Sequence, residues 1–177
     1  EIKSAWSKHG SNSEGPNEHV KGTEAIYDGV KSDSKLFVTP WNTKWAGYGT
    51  VDERKDDFPH ELKLFLSGED EQIDYMIFYP RVSYRNGRVG VIDIYVSTAE
   101  EPENFILVKE KYDCVESDNK VKTIYFNQSV KHPHTVKILI HTVTEKDMYV
   151  AFQEIELYGK SSQVFDTSTL FADELCS

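Results

Sequence analysis

Between Leu62 and Tyr158 the chain repeats one pattern, short runs of alternating side-chain character closed by turn signals. Successive side chains of a strand point to opposite faces, so alternation of period two calls for pleated strands with one buried side. Leu62, Leu64 and Leu66 alternate with Lys63 and Phe65. Val89–Val96 sets Val91, Asp93 and Tyr95 against Ile92, Ile94 and Val96, and Val136, Ile138 and Ile140 oppose Lys137, Leu139 and His141. Further runs are Ile73–Tyr79, Phe105–Val108, Val121–Phe126, Val136–Val143 and Ala151–Tyr158, with Asn86-Gly87 and Asp118-Asn119 as turn signals between them. No helical period of useful length occurs, and the strand–helix alternation of an α/β enzyme is missing. The fold class predicted is all-β, a sandwich or barrel.

The flanks read differently. Residues up to about Lys35 are polar, with Gly, Ser and Asn around Gly10–Asn17, and read mainly as loop. A turn-rich stretch with Trp41, Trp45 and Tyr48 follows. After Gly159 a Ser/Thr-rich segment leads to Leu170, Phe171 and Leu175. Residues 1–160 are expected to form the domain, and 161–177 a linker and the start of a following domain. The chain opens at Glu1 without Met, as expected of a segment of something longer. Its 177 residues suffice for a sizeable core without staples.

Lys+Arg number 20 against 30 Asp+Glu, a net charge of -10. That charge repels polyanions at long range, so nucleic acid and anionic membrane surfaces are poor partners. No apolar run approaches the ~20 residues that span a bilayer. A neutral ligand meets no such repulsion, and spare carboxylates suit a hard cation. Cys114 and Cys176 support neither an intrachain disulfide nor a metal site.

Catalytic motifs are wanting. His60-Glu61-Leu62-Lys63-Leu64 begins like a zinc-protease helix, but Leu64 stands where the second His belongs and the segment alternates like a strand. His132-Pro133-His134 has no third ligand at metal spacing and reads as a surface loop. No Gly-x-Ser-x-Gly elbow is present, and Asn86-Gly87-Arg88-Val89-Gly90 lacks the spacing of a phosphate cradle.

Three segments carry a resemblance. They are Ala25-Ile26-Tyr27-Asp28-Gly29, the block Ile73–Arg81 running through Asn86-Gly87 into Ile92–Ser97, and Ala151–Gly159. In this order they resemble the coagulation-factor type C (discoidin-like) domains, above all the bacterial family 32 carbohydrate-binding modules, over roughly residues 3–159. The resemblance implies a galactose-binding-domain-like jelly-roll β-sandwich with its ligand loops at one end. It also implies a structural calcium between the Asp28 loop and the last strand, held by backbone oxygens near Ala25 and Gln153 and by the carboxylates of Asp28 and Glu154. Tyr27 is an insertion relative to the family pattern, and Val30 stands where a second acidic residue is common. Asp33 and Ser34 are then the candidates for the missing oxygens. An Asx turn at Asp28-Gly29 with no metal is the other reading of the same residues.

A sugar offers an apolar C–H face and a rim of hydroxyls, so its site needs an aromatic platform beside planar or forked polar groups. Trp45 and Tyr48 supply platform candidates from one loop, with Trp41 better placed as a packing anchor. Arg81, Tyr84, Asn86 and Arg88 supply the second loop, where arginine's fork suits paired hydroxyls, although Asn86-Gly87 is also a turn signal in its own right. The resemblance implies a non-catalytic, monomeric accessory module. It would lie outside the cell or on a bacterial cell surface, and target an attached catalytic domain to glycans of galactose or N-acetylgalactosamine type. The alternatives are a protein- or lipid-binding discoidin-like adhesion domain and a fragment of a glycan-acting or proteolytic enzyme.

Overall fold

The computed structural model describes residues 1–8, 11, 20–39, 58–144 and 149–159. Its elements are the strands β1 (Ile2–Ser7), β2 (Val20–Lys21), β3 (Leu36–Val38), β4 (His60–Leu66) and β5 (Gln72–Pro80), then β6 (Val91–Thr98), β7 (Ile106–Asp113), β8 (Lys122–Lys131), β9 (Pro133–Ile140) and β10 (Ala151–Tyr158). One 3-10 turn, Thr23–Ile26, lies between β2 and β3. The strands form two five-stranded sheets, ordered β1-β4-β9-β6-β7 and β2-β3-β10-β5-β8. Every pairing is antiparallel except the short parallel contact of β2 with β3. The all-β sandwich read from the alternation is the fold observed.

The alternation also gives the faces correctly. Ile92, Ile94 and Val96 are at most 1 % exposed, and Leu62, Leu64, Val136, Ile138 and Ile140 from β4 and β9 continue the same inner face beside them. The other sheet contributes Phe37, Met76, Phe78, Ile124, Phe152 and Ile155 to the same core. Burying each such side chain stabilises the fold by roughly 1.5–3 kcal/mol against exposure. Phe152 lies at the centre, its ring 5.1 Å from that of Phe37 and 5.3 Å from that of Phe78.

The N-terminal segment departs from the sequence reading. Besides loop, it supplies the edge strand β1, whose Trp6 pairs with Lys63 and Ala5 with Leu64, and the two-residue β2. Short edge strands with polar outward residues have little alternation to detect. Asn86-Gly87 forms a turn, with the Arg88 N–H donating to Arg85 O at 3.0 Å, but it closes no hairpin. It lies in the crossing from β5 in one sheet to β6 in the other. Asp118-Asn119 likewise lies in the crossing from β7 to β8.

Candidate functional site

Loops at one end of a sandwich are free to carry chemistry because the sheets fix where they start and end. The β5–β6 loop shows how this chain organises one. Arg88 is 6 % exposed, and its guanidinium donates from Nε to Arg81 O and from one terminal nitrogen to Val82 O, each at 2.7 Å. The expectation that it meets a ligand is not what the loop shows: two of its three nitrogens bond the loop's own backbone and little of the side chain reaches solvent. The structure therefore gives it the role of a brace. Gly87 has φ +77°, and a Cβ there would come 2.8 Å from the Tyr149 ring, so this turn requires glycine.

Arg81 and Tyr84 are brought together on top of this brace. The Arg81 guanidinium carbon lies 5.2 Å from the centre of the Tyr84 ring, which is 65 % exposed. One terminal nitrogen of Arg81 donates to Asn86 O at 2.8 Å and lies 3.5 Å from Tyr149 Oη, while Nε is buried and has no partner among the described residues. The guanidinium is thus held by one terminal nitrogen, and among the described residues its other terminal nitrogen has no hydrogen bond. Asn86 is exposed beside it. A fork of N–H donors next to an exposed ring has the polar and apolar halves that a sugar needs. Trp41, Trp45 and Tyr48 lie outside the described residues, as does everything from residue 160 onward, including Cys176.

Asp33 ties this loop to the rest of the site. Its Oδ1 accepts from Val82 N at 2.9 Å and from Gln153 Nε2 at 2.8 Å, and its Oδ2 accepts from Ser83 N. Burial pushes the Asp33 carboxyl up, but these donors outweigh that and hold it below the usual carboxylate range. Both side-chain oxygens are engaged, so the Asp33 carboxylate is a clamp on residues 82 and 83 instead of a spare metal ligand. No sequence motif marks this role, because the partners are 49 and 120 residues away. Ser34 is engaged locally, its hydroxyl accepting from Ser32 Oγ at 2.9 Å.

The Asp28 region holds the other half of the expected cation site. Val30 N donates to Asp28 Oδ1 at 2.8 Å, which is the Asx turn anticipated for Asp28-Gly29. Glu154, on β10, is 1 % exposed, and among the described residues its carboxylate oxygens have no hydrogen bond of good geometry, the Gly29 N–H approaching only loosely. Burial first, and the nearby Asp28 charge second, push its pKa up to about 8. The Gly29 N–H offsets only part of this. Ala25, in the 3-10 turn, is fully buried, and Gln153 precedes Glu154 on β10. A turn this short satisfies few of its own carbonyl groups.

An orphaned buried carboxylate beside a second carboxylate fits a hard, oxygen-seeking cation. Among the described residues no three His, Cys, Asp or Glu side chains converge to hold a metal, so backbone carbonyls would have to complete the set. An open depression of about 720 Å³ lies along β10 beside this position, lined by Tyr27, Glu154, Glu156 and Tyr158 among others. It is distinct from the Arg81–Tyr84 loop.

The remaining chemistry-bearing residues are structural. His60 is fully buried on a strand, its Nε2 3.1 Å from Ser7 Oγ, in line with the strand reading of that segment. His132-Pro133-His134 turns the chain from β8 into β9. Cys114 is buried and its thiol is pushed up to about 12, chiefly by desolvation, so it is a packing residue.

No protein-family model matches the chain, and no curated protein sequence does. Solved structures do. A carbohydrate-binding module from Clostridium perfringens, CpGH89CBM32-5, solved in complex with GalNAc-β-1,3-galactose, superposes with a TM-score of 0.64 at 20% identity, over 88% of this chain and 94% of that one. The family 32 module of C. perfringens NanJ, in complex with galactose, gives a TM-score of 0.63 at 19% identity, over 88% of this chain and 92% of that one. A pectin-binding carbohydrate-binding module gives 0.61 at 15% identity, over 92% and 94%. Identities this low speak to architecture, and on that point they agree: this chain has the jelly-roll β-sandwich fold of the family 32 carbohydrate-binding modules.

Proposed function

We propose that this domain is a non-catalytic carbohydrate-binding module that holds an attached enzyme near its glycans outside the cell or on a cell surface. The observation that carries the reading is the Arg81–Tyr84 pair. A guanidinium anchored by one terminal nitrogen is fixed over an exposed aromatic ring, at a loop braced by Arg88 and clamped by Asp33. The fold supports it, since sandwiches superposing on this one bind galactose or a GalNAc-containing disaccharide. Galactose-type sugars are the class proposed. Trp45 and Tyr48 are proposed as further platform residues, and Asn86 as a hydrogen-bonding one.

Calcium belongs to the same reading. Asp28 and Glu154 would hold it with carboxylate oxygens, and Ala25, Gln153 and the backbone near Asp33 and Ser34 would supply carbonyls. When bound it neutralises the buried Glu154 charge and fixes the Asp28 turn against β10, and it takes no part in chemistry on the sugar. Through Gln153 and Asp33 this strand end is joined to the Arg81 loop.

The test is a glycan array followed by calorimetric titration with galactose and N-acetylgalactosamine. Binding without turnover is expected, with millimolar-to-micromolar affinity because a single shallow sugar buries little surface. Arg81→Ala and Tyr84→Ala are each expected to weaken it at least about tenfold, the loss of one bidentate or stacking contact of about 1.4 kcal/mol. Wild-type affinity in both variants would remove this loop from the site.

A further inference from the structure

The outer face of the β1-β4-β9-β6-β7 sheet carries a feature that the loop site does not use. Trp6 pairs with Lys63, Lys63 with Lys137, Lys137 with Tyr95 and Tyr95 with Leu107. One residue from each of the five strands therefore forms a single transverse row. It lies opposite the core, since the core-facing neighbours Leu62, Leu64, Val96, Val136 and Ile138 are buried. Trp6 and Leu107 are 42% and 41% exposed.

The centre of the row is two lysines directly across from each other, an arrangement that like-charge repulsion disfavours. Neither takes part in an ion pair or donates a hydrogen bond among the described residues. Aromatic rings hold them instead. Lys63 Nζ lies 5.3 Å from the Trp6 ring and 6.0 Å from Phe105, and Lys137 Nζ lies 4.7 Å from Tyr95 and 4.4 Å from Phe105. The acidic groups one row away on the same face are Glu61 and Asp93, and Asp93 is already engaged by His141 at 2.7 Å and by the Lys111 N–H.

In a chain of net charge -10 this is a local inversion. Ring contacts orient each ammonium but supply it no hydrogen-bond acceptor, so its capacity to donate is unspent among the described residues. A carboxylate placed between the two nitrogens would relieve their repulsion, and an apolar ring face attached to that carboxylate would have Trp6 to lie against. We propose that this sheet face is a second binding surface, specific for a carboxylate-bearing sugar such as a uronic acid, gripped by Lys63 and Lys137 and stacked on Trp6. It is independent of the Arg81 loop and of the neutral sugar proposed there.

The probe is trigalacturonate, with neutral galactotriose and polyglutamate as controls, titrated into the whole chain. Wild type is expected to bind trigalacturonate, and to bind it at least about fivefold more weakly as salt rises from 50 to 300 mM. Lys63→Gln/Lys137→Gln is expected to lose at least about tenfold in that affinity, while its melting temperature and its galactotriose titration stay those of wild type. Arg81→Ala should leave trigalacturonate binding intact. Galactotriose failing to bind while trigalacturonate still does would sink the loop reading and leave this one standing. Three outcomes overturn the proposal: no trigalacturonate binding by wild type, full retention in the double lysine variant, or loss in Arg81→Ala. Equal binding of polyglutamate would reduce the face to a reader of charge, and overturns the sugar assignment too.

Discussion

Glu154 is the residue whose position asks most for an explanation. Isolated buried charge costs several kcal/mol, and a carboxylate so placed either keeps a proton or finds a cation. Its pKa of about 8 gives the sign of the effect. The folded state binds more protons than the unfolded chain, so calcium-free protein should lose stability as pH rises from the ordinary carboxylate range to about 8. The slope should be at most about 1.4 kcal/mol per pH unit. Saturating calcium should flatten it. Glu154→Gln removes the charge and keeps the shape, so a crossing is expected at pH 7. With chelator present the variant should be the more stable protein by about 2–3 kcal/mol, and with calcium present it should gain nothing while wild type gains. Melting curves of both proteins, with and without calcium, read this directly. Identical wild-type curves in the two conditions would leave Glu154 a protonated core residue.

At the scale of elements, Asp33 decides how firmly the loop between β5 and β6 is held. Residues 82–86 are exposed and have no sheet to order them, so their register depends on the Asp33 clamp and the Arg88 brace. Asp33→Ala should cost about 1–2 kcal/mol of stability, because the freed Val82 and Ser83 N–H groups can turn to water. It should weaken sugar binding several-fold through loss of order, although Asp33 reaches no ligand itself. Asp33→Asn, which keeps one acceptor, should recover part of both. Titration of the two variants separates the clamp from a direct contact.

The same elements show what the sequence could disclose. Strands with a buried face write it as alternation, so β4, β6 and β9 were legible down to their inward residues, and β5 and β10 were legible as apolar runs. β1 was not, because its outward Ser4 and Trp6 and its half-buried Ile2 and Ala5 make no clear period. The loop that carries Arg81 and Tyr84 was legible from residue chemistry. The separation of Arg81 from Arg88 was not, since two arginines seven positions apart differ only in which carbonyls the folded loop turns toward them. Asp33 reads in sequence as one acidic residue among thirty, and its function exists only once β5 and β10 are side by side.

For the whole molecule, both sheets share one core, and Phe152 stands where β3, β5 and β10 meet it. Among the described residues, Arg81 and Tyr84 lie outside the buried cluster that contains Phe152. Stability and recognition should therefore separate. Phe152→Ala leaves a cavity between Phe37 and Phe78 and is expected to destabilise the fold by about 3–5 kcal/mol, in a single cooperative transition because both sheets bury the same main core. At temperatures where this variant remains folded, its sugar affinity should stay within about twofold of wild type, since the loop ends are still fixed by the same strand ladders. Arg81→Ala should do the reverse, with affinity lost and the melting temperature almost unmoved. Calorimetric scans and titrations on the two variants give four numbers. Co-variation of stability and affinity in both would mean that the loop is built by the core after all, and that the binding site cannot be treated as a graft on the sandwich.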